Sequence, residues 1–409
     1  MSLLFKLFVL GASITPHHLS VLTSPQLTPP RGPPSLLINL IRCYTLAALR
    51  GISLRHWARC AYYRFALHNL TPSQIQFLSP STKATYKTWL ARRHARALHS
   101  TSTNPTKESA FLASRLTHDV ETLPDGQSSL LWIGDRHRAT KFVLFFHGGG
   151  YIAPALPGHM EWCARAYLLA SPVAASNADE EEVAVAVLQY TLCPGEMYPT
   201  QLRQAVDALQ HLLASGVKPG SLVIGGDSAG GNLTAQVLGH LLRAHPAVGE
   251  VRLEAPLAGA FLVSPLLSFR NDCWGSVARN GGIDMLSSKT TDSLAQWVVE
   301  PEGFAAEMAA QRGWAMPMDL EDPEGWVRGL ERVVKEVYVT AGEQEILRDQ
   351  GVAFADAVRR GNPGVPVKLD LSKNEAHDWI LLEGGRGIDG DATKRMRTWF
   401  SGLFWPVSN

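Results

Sequence analysis

Short apolar runs alternate with amphipathic segments from residue 118 onward. HDVETL (118–123) and SLLWI (129–133) predict a first hairpin, and AGGNLTAQVLGHLLRAH (229–245) predicts a helix. Six further runs predict buried strands: KFVLFF (141–146), VAVAVLQY (183–190), SLVIGG (221–226), AFLVSP (260–265), EVYVTAG (336–342) and VKLDL (367–371). Apolar runs separated by helical segments are typical of a parallel sheet wrapped by helices. The pattern therefore predicts an α/β fold with a mainly parallel sheet.

Residues 266–329 break this alternation. The interval is rich in Trp, Met, Gly and Ser, and it offers no convincing strand. In a βαβ protein an insertion of this size after a central strand commonly covers the site at the carboxyl ends of the strands. We therefore expect it to form part of a lid.

Two apolar stretches lie in the N-terminal quarter, MSLLFKLFVLGASITP (1–16) and LLINLIRCYTLAAL (36–49). Both are short for a membrane span, which needs about 18 or more apolar residues, and the first is similar to a signal peptide or a monotopic anchor. They form either a membrane-associated amphipathic region or helices that cap the protein's own site. The first alternative places the protein at the endoplasmic-reticulum membrane, and the second places it in the cytoplasm. STSTNPTK (100–107) is typical of a linker, which divides the chain into segments 1–107 and 108–409.

Charge is distributed unevenly along the chain. Of 409 residues, 45% are hydrophobic and 18% charged, which suits a soluble globular protein with a large core. Residues 1–107 contain thirteen Lys and Arg but no Asp or Glu, and the remainder sums to −12. The basic segment therefore meets a membrane surface or packs against the acidic body; no nucleic-acid partner is predicted. The five cysteines are scattered without metal-ligand spacing, so we expect no disulfide framework and no structural zinc.

The stretch GGDSAGGN (225–232) follows an apolar strand and opens a helix. A sharp strand-to-helix turn strains the backbone at Ser228, so Gly226 and Gly230 must lack bulk. The helix N-terminus favours negative charge near the serine, and the amide of Ala229 points to where an oxyanion would form. The alternatives are ordinary strand–turn–helix packing and a phosphate loop, but no Gly-Lys-Ser/Thr follows.

HGGGY (147–151) stands at the end of an earlier strand. Consecutive glycines let backbone amides approach a ligand and point the same way, as an oxyanion site requires. A plain turn is the alternative. Together with Ala229, the stretch nominates Gly148, Gly149 and Gly150 as the oxyanion hole. In this arrangement the amides of Gly149 and Gly150 stabilise the charge, and Gly148 shapes the loop.

HGGGY followed by GDSAGGN resembles the hormone-sensitive-lipase-like branch of the α/β-hydrolase family, which includes microbial esterases and fungal acetyl-ester hydrolases. The resemblance covers roughly residues 110–405. YTLCPGEMYP (190–199) is similar to the family's Tyr-Arg-Leu-Ala-Pro segment, with Thr191 and Cys193 as departures, and Ser264-Pro265 matches a further family feature.

The family's chain order implies a catalytic acid after the next strand and a histidine after the last one. EILRDQG (345–351) aligns with the family's Asp-Pro-Leu-Arg-Asp-Glu-Gly, which places the acid at Glu345; Glu343 remains the rival, because the loop is one residue longer than usual. Asp349 is expected to form a structural ion pair. His377 lies in NEAHDW (374–379), where the family usually has His-Gly-Phe.

The resemblance implies a serine carboxylester hydrolase in which His377 activates Ser228 and Glu345 orients the imidazole. No metal or organic cofactor is required. The expected substrate is a small-molecule ester, namely a short-chain acyl ester of the acetyl type with a hydrophobic alcohol such as a sterol or secondary metabolite. Two alternatives stay open. The same triad would also serve acyl transfer, amide hydrolysis or cyclisation in natural-product biosynthesis, and the fold also occurs in non-catalytic ligand-binding proteins. The oligomeric state does not follow from the sequence.

Overall fold

Five helices precede the sheet in the computed structural model, which describes residues 33–52, 54–100, 107–172 and 181–406. They are α1 (Pro33–Leu49), α2 (Leu54–Asn69), α3 (Pro72–Leu78), α4 (Thr82–Ser100) and α5 (Lys107–Arg115). The apolar stretch 36–49 thus lies within α1. Residues 1–16, and all of the predicted linker except its two ends, lie outside the described residues.

Eight strands form one mixed sheet among the described residues. They are β1 (Val120–Thr122), β2 (Ser129–Ile133), β3 (Ala139–Phe146), β4 (Glu182–Gln189), β5 (Leu222–Asp227), β6 (Gly259–Val263), β7 (Val337–Gly342) and β8 (Val367–Ser372). Their spatial order is β1-β2-β4-β3-β5-β6-β7-β8. β1 pairs with β2, and β2 with β4, in antiparallel fashion; all other pairs are parallel. The predicted hairpin and mainly parallel sheet are confirmed.

Ten further helices lie among the described residues after β3. They are α6 (Pro157–Ala166), α7 (Thr200–Ala214), α8 (Ala229–Leu242), α9 (Gly275–Asn280), α10 (Ser288–Val298), α11 (Pro301–Ala309), α12 (Pro323–Val327), α13 (Arg348–Gly361), α14 (Trp379–Arg386) and α15 (Asp391–Phe404). The helix predicted for 229–245 ends at Leu242, because Arg243 adopts an extended conformation with φ −144°. Pro246 follows shortly after, and proline cannot continue a helix.

The core occupies both faces of the sheet. On β3, Leu144 and Phe146 belong to one buried apolar cluster, whereas Val143 and Phe145 belong to another. Successive strand residues point to opposite faces, so both sides of this central strand are covered. Strands buried on both faces are typical of parallel sheets flanked by helices, and this explains why the strands appear in the sequence as continuous apolar runs.

The segment 266–329 contains helices but no strand, as the pattern predicts. It packs against the N-terminal helices. The buried guanidinium of Arg64 in α2 donates hydrogen bonds to three of its backbone carbonyls, those of Gly281, Asp284 and Leu286. Directly after α1, Arg50 donates to the side-chain oxygen of Asn280 at 3.0 Å. The basic N-terminal segment and the insertion are therefore in direct contact.

Candidate active site

Ser228 stands at the turn between β5 and α8. Its φ of 52° and ψ of −114° are unfavourable for a residue with a side chain. A Cβ atom on Gly226 or Gly230 would overlap the carbonyl oxygen of Phe146 in the neighbouring strand, so both positions require glycine. The strained turn is held by its surroundings, since Ser228 donates its backbone N–H to the carbonyl of Val263 at 2.8 Å.

His377 connects Ser228 to Glu345. The Nε2 atom of His377 lies 3.0 Å from Ser228 Oγ, and its Nδ1 atom lies 3.1 Å from Glu345 Oε2. Ser228 is 7% exposed, His377 2% and Glu345 0%. The structure thus brings these three sequence-predicted residues into one buried hydrogen-bonded chain, from loops after β5, β7 and β8.

Glu343 and Asp349 have other partners. The carboxylate of Glu343 accepts a hydrogen bond from Arg348 Nε at 2.9 Å. Asp349 pairs with Arg279 at 3.0 Å and with Arg348 at 2.6 Å. Of the two candidate acids, Glu345 is therefore the one placed beside His377, and Asp349 forms the structural ion pairs expected of it.

The pKa of His377 is raised well above its ordinary value. Burial by itself lowers it, but the carboxylates of Asp378 and Glu345 outweigh burial and favour the imidazolium form. A ring placed in this way is suited to take up a proton from a neighbouring hydroxyl, because the resulting positive charge is stabilised.

The loop at residues 148–150 lies against Asp227, the residue before Ser228. Gly149 has a φ of 107° and Gly150 a φ of 62°, values that side chains rarely permit. Gly148 donates its N–H to Asp227 Oδ1 at 3.0 Å, so its amide fixes the loop. The N–H groups of Gly149 and Gly150 donate to no other residue that the structure describes. These two amides are therefore available to a ligand, and the oxyanion hole of Gly148, Gly149, Gly150 and Ala229 stays a prediction.

A second buried His–Asp pair, which the sequence analysis did not find, supports this loop. His159 Nε2 lies 3.0 Å from Asp227 Oδ2, and its Nδ1 accepts the backbone N–H of Leu156 at 2.9 Å. Asp227 thus holds Gly148 on one oxygen and His159 on the other. Asp227 is part of the GGDSAGGN stretch, but no signal in the sequence points to His159, which lies in α6, 68 residues earlier.

The YTLCPGEMYP segment supports the loop from the other side. The ring of Tyr190 stacks on that of His147 with centroids 4.3 Å apart, and its hydroxyl donates to the carbonyl of His147 at 2.7 Å. Burial, with a further contribution from His159, lowers the pKa of His147 to about 4, so its ring is neutral at neutral pH. This family-like segment therefore positions HGGGY.

Two more buried carboxyl groups approach the site. Asp284, from the 266–329 segment, accepts the N–H of Ile346 at 2.7 Å, and burial raises its pKa to about 6. Asp378 lies beside His377, with its Oδ2 atom 3.1 Å from Nε2. Asp378 stands at a departure from the family pattern, which is a signal the sequence offered. Asp284 carries no such signal. No cluster of three or more His, Cys, Asp or Glu among the described residues has the geometry of a metal site.

Comparison with protein families matches residues 143–381, more than half of the chain, to the alpha/beta hydrolase fold family. The chain belongs to the α/β-hydrolase family. Among curated relatives, the acetyl-hydrolase of Streptomyces hygroscopicus is 25% identical over 283 residues, covering 66% of this chain and 80% of its own length. The ethyl acetate hydrolase of Pseudomonas putida is 27% identical over 249 residues, covering 59% and 66%.

Solved structures share the fold. An esterase of the bacterial hormone-sensitive lipase family has a TM-score of 0.52 at 23% identity, covering 77% of this chain and 98% of its own. A thermostable esterase from Pseudomonas putida has a TM-score of 0.53 at 21% identity, covering 81% and 99%. The predicted α/β-hydrolase fold, the resemblance to hormone-sensitive-lipase-like proteins and the prediction of a hydrolase enzyme are confirmed.

Proposed function

We propose that this α/β-hydrolase is a serine carboxylester hydrolase with Ser228, His377 and Glu345 as its catalytic triad. The observation that carries the proposal is the hydrogen-bonded chain from Ser228 Oγ through both ring nitrogens of His377 to Glu345. His377 removes the hydroxyl proton as Ser228 attacks the ester carbonyl, and Glu345 stabilises the imidazolium. The amides of Gly149, Gly150 and Ala229 stabilise the oxyanion, the alcohol leaves, and water releases the acid.

Labelling with a fluorophosphonate probe tests the triad. We expect wild-type protein to be labelled at Ser228, Ser228→Ala to remain unlabelled, and His377→Ala to react at least about 10²-fold more slowly, because the hydroxyl then lacks its general base. Ser401→Ala, at a serine of α15 far along the chain, is the matched control and should label as wild type does. Folded wild-type protein that resists labelling would exclude this function.

Short-chain acyl groups on a hydrophobic alcohol are the proposed substrates. The relatives' names include acetyl-hydrolase and ethyl acetate hydrolase. Apolar side chains also lie beside the loop at residues 148–150. Leu294 of α10 lies so close to Gly150 that a Cβ there would come within 2.7 Å of it, and the buried Ile152 donates its N–H to the carbonyl of Gly149. Such a lining favours an apolar ester of moderate size.

The acyl preference is measurable with p-nitrophenyl esters. We expect kcat/KM to be highest for acetate and to fall through butyrate and octanoate, in line with the acetyl esters in the relatives' names. Rates that rise with chain length would instead indicate a lipase-like pocket. Quantifying the free acid released, in the presence of added alcohols, separates hydrolysis from acyl transfer.

The N-terminal helices and the 266–329 segment together form a cap over the site in this proposal. The supporting contacts are those of Arg64 and Arg50 with the insertion, and of Gln76 in α3, which donates to the carbonyl of Ile152 at 3.0 Å. Ile152 stands two residues after Gly150, and Gln76 also donates to the carbonyl of Cys193 at 2.8 Å, so α3 contacts the chain beside the site at two points.

The outer face of α1 is proposed to contact a membrane surface. Leu37, Ile38 and Ile41 are 59%, 64% and 58% exposed, whereas Cys43 on the inner face is buried. This apolar stripe belongs to a segment with thirteen basic and no acidic residues, a combination that favours the interface of an anionic bilayer. No helix in the described part of the chain is long and apolar enough to cross a membrane.

Vesicle sedimentation tests this contact. We expect the protein to bind vesicles containing phosphatidylserine better than vesicles of pure phosphatidylcholine. The double variant Ile38→Gln, Ile41→Gln should bind at least about tenfold more weakly, because burying two aliphatic side chains in the bilayer contributes a few kcal/mol to binding. Ile388→Gln removes an exposed isoleucine elsewhere and serves as the control. The membrane contact is excluded if wild type sediments equally with both vesicle types and the double variant binds as wild type does. The cap would then be the proposed role of the segment.

A further inference from the structure

Asp378 approaches the same ring nitrogen that faces the nucleophile. Asp378 Oδ2 lies 3.1 Å from His377 Nε2, and Ser228 Oγ lies 3.0 Å from that atom. Glu345 occupies the opposite nitrogen. The imidazole is thus flanked by carboxyl groups on both sides, whereas the usual arrangement has one.

The backbone explains why an aspartate can occupy this position. Asp378 has a φ of 52° and a ψ of 44°, in the left-handed region. Glycine adopts this region freely, and Asp and Asn are the side-chain-bearing residues that enter it most readily. The family pattern His-Gly-Phe has glycine here. The conformation is held by a hydrogen bond from the Asp378 N–H to Ser264 Oγ at 3.2 Å.

The Nε2 atom cannot serve both neighbours at once. When it accepts the hydroxyl proton of Ser228 in a hydrogen bond, it must be unprotonated; when it faces the Asp378 carboxylate favourably, it must carry a proton. One proton can be placed between Asp378 and Nε2 in two ways. On Asp378 it gives a neutral acid beside a neutral imidazole; on Nε2 it gives an imidazolium beside a carboxylate. Only a ring with a free Nε2 lone pair can activate the serine.

We propose that Asp378 shares a proton with His377 Nε2 and thereby sets the pH above which Ser228 can be activated. The inference rests on the proposed function, in which His377 is the general base. Asp378 acts through His377 and does not itself need to touch the ester. Its carboxylate stabilises the imidazolium, so activity requires a higher pH than the same site would need with glycine at this position.

Other charged groups around the pair do not replace this effect. Glu345 faces Nδ1, and Asp284 of the insertion adds negative charge near Glu345. Asp227 lies close to Asp378, but it is paired with Gly148 and His159. Burial and the nearby carboxylates of Asp227 and Glu345 raise the pKa of Asp378 to about 7, against an opposing contribution from His377. Asp378 Oδ1 has no hydrogen-bond partner among the described residues, so no donor at this oxygen holds the carboxyl group in its ionised form.

The pH profile of kcat/KM, measured with p-nitrophenyl acetate, tests the inference. In Asp378→Asn and Asp378→Gly the acidic limb should move down by about one pH unit or more, the effect expected for removing a charge at this distance. The limb moves to lower pH because the imidazolium loses a stabilising carboxylate. The pKa of His377 therefore falls, and the neutral imidazole persists to lower pH. Asp391→Asn makes the same charge change at an 87% exposed side chain and should leave the limb unchanged.

Direct titration separates this inference from the proposed function. In protein with ¹⁵N-labelled histidine, assigned through His377→Gln, the ring of His377 should titrate at least about one pH unit lower in Asp378→Gly than in wild type. An unchanged titration in both folded Asp378 variants overturns the inference even in an active esterase. A lowered titration in protein that hydrolyses no ester supports it and overturns the proposed function instead.

Discussion

At the scale of single residues, the site depends on conformations that its neighbours enforce. Ser228 at φ 52° and Asp378 at φ 52° are both strained, and each is held by a backbone hydrogen bond, to Val263 and Ser264 respectively. Both acceptors belong to β6 or its immediate end. The strand next to the nucleophile therefore orients both the serine and the residue after the histidine.

Replacing each candidate acid separately by glutamine checks the assignment of Glu345. We expect Glu345→Gln to lower kcat about 10²-fold or more, because an amide beside Nδ1 neither orients the ring nor stabilises its positive charge. Glu343→Gln should stay within about threefold of wild type, since it removes only a partly exposed pair with Arg348. Turnover with a saturating acetate ester is the measurement. A larger loss at Glu343 would mean that the acid is misassigned.

At the scale of elements, α2 contacts the insertion through Arg64 and through His68, whose ring is hydrogen-bonded to the hydroxyl of Ser287. Arg64 is 6% exposed and donates to Gly281 O at 2.6 Å, Asp284 O at 2.9 Å and Leu286 O at 3.1 Å. Burial lowers the pKa of Arg64, although the neighbouring thiol of Cys43 and carboxyl of Asp284 oppose this. The cation also balances the negative charge that Asp284 adds near Glu345.

Removing this guanidinium should loosen the cap. Arg64→Met keeps the aliphatic stem but leaves three buried carbonyls without donors, so we expect a loss of about 2 kcal/mol in the free energy of unfolding. Arg59→Met, at an exposed position on the same helix, is the control and should change it by less than about 0.5 kcal/mol. Denaturant unfolding measures both. Equal stability of the two variants would show that Arg64 does not hold the insertion.

At the scale of the whole molecule, a buried charge cluster joins the basic N-terminal segment to the acidic body. Glu161 in α6 accepts hydrogen bonds from Trp89 Nε1 at 3.0 Å and Arg93 Nε at 2.8 Å, both in α4, and from Arg165 at 2.7 Å. The charge asymmetry of the sequence predicts either this packing or a membrane contact. The cluster shows that α4 packs on the body, while the exposed face of α1 remains for the membrane test.

This cluster should make stability depend on pH. Burial raises the pKa of Glu161, but Arg93, Trp89 and Arg165 outweigh burial and lower it below its ordinary value. A lowered folded-state pKa contributes stability that is present above the unfolded pKa of about 4.5 and is lost as pH falls through the folded value. We expect Glu161→Gln to cost about 3 kcal/mol at pH 7, because it leaves Arg93 buried without its counter-charge.

Urea unfolding between pH 7 and about pH 3 provides the measurement, because the loss begins below the unfolded pKa and continues through the lower folded one. The gap between wild type and Glu161→Gln should narrow as pH falls, since wild type loses the same interaction by protonation. Glu302→Gln, in the first turn of α11 and exposed, should follow the wild-type curve. A gap that is constant with pH would assign the loss to packing and not to charge.

Local patterns determined much of this protein by themselves. The alternation of apolar runs and helices, the glycines around Ser228 and the HGGGY loop each depend on neighbours within a few residues. They predict the fold correctly, and they nominate Ser228 as the nucleophile. The tertiary structure alone decided which residues from distant segments of the chain come into contact. Glu343 and Glu345 are two residues apart, and only the path of the chain after β7 brings Glu345 to His377 while Glu343 turns to Arg348. The same holds for His159 beneath Asp227 and for Asp284 beside Glu345, because a contact between residues 60 or more positions apart leaves no periodic trace in the sequence.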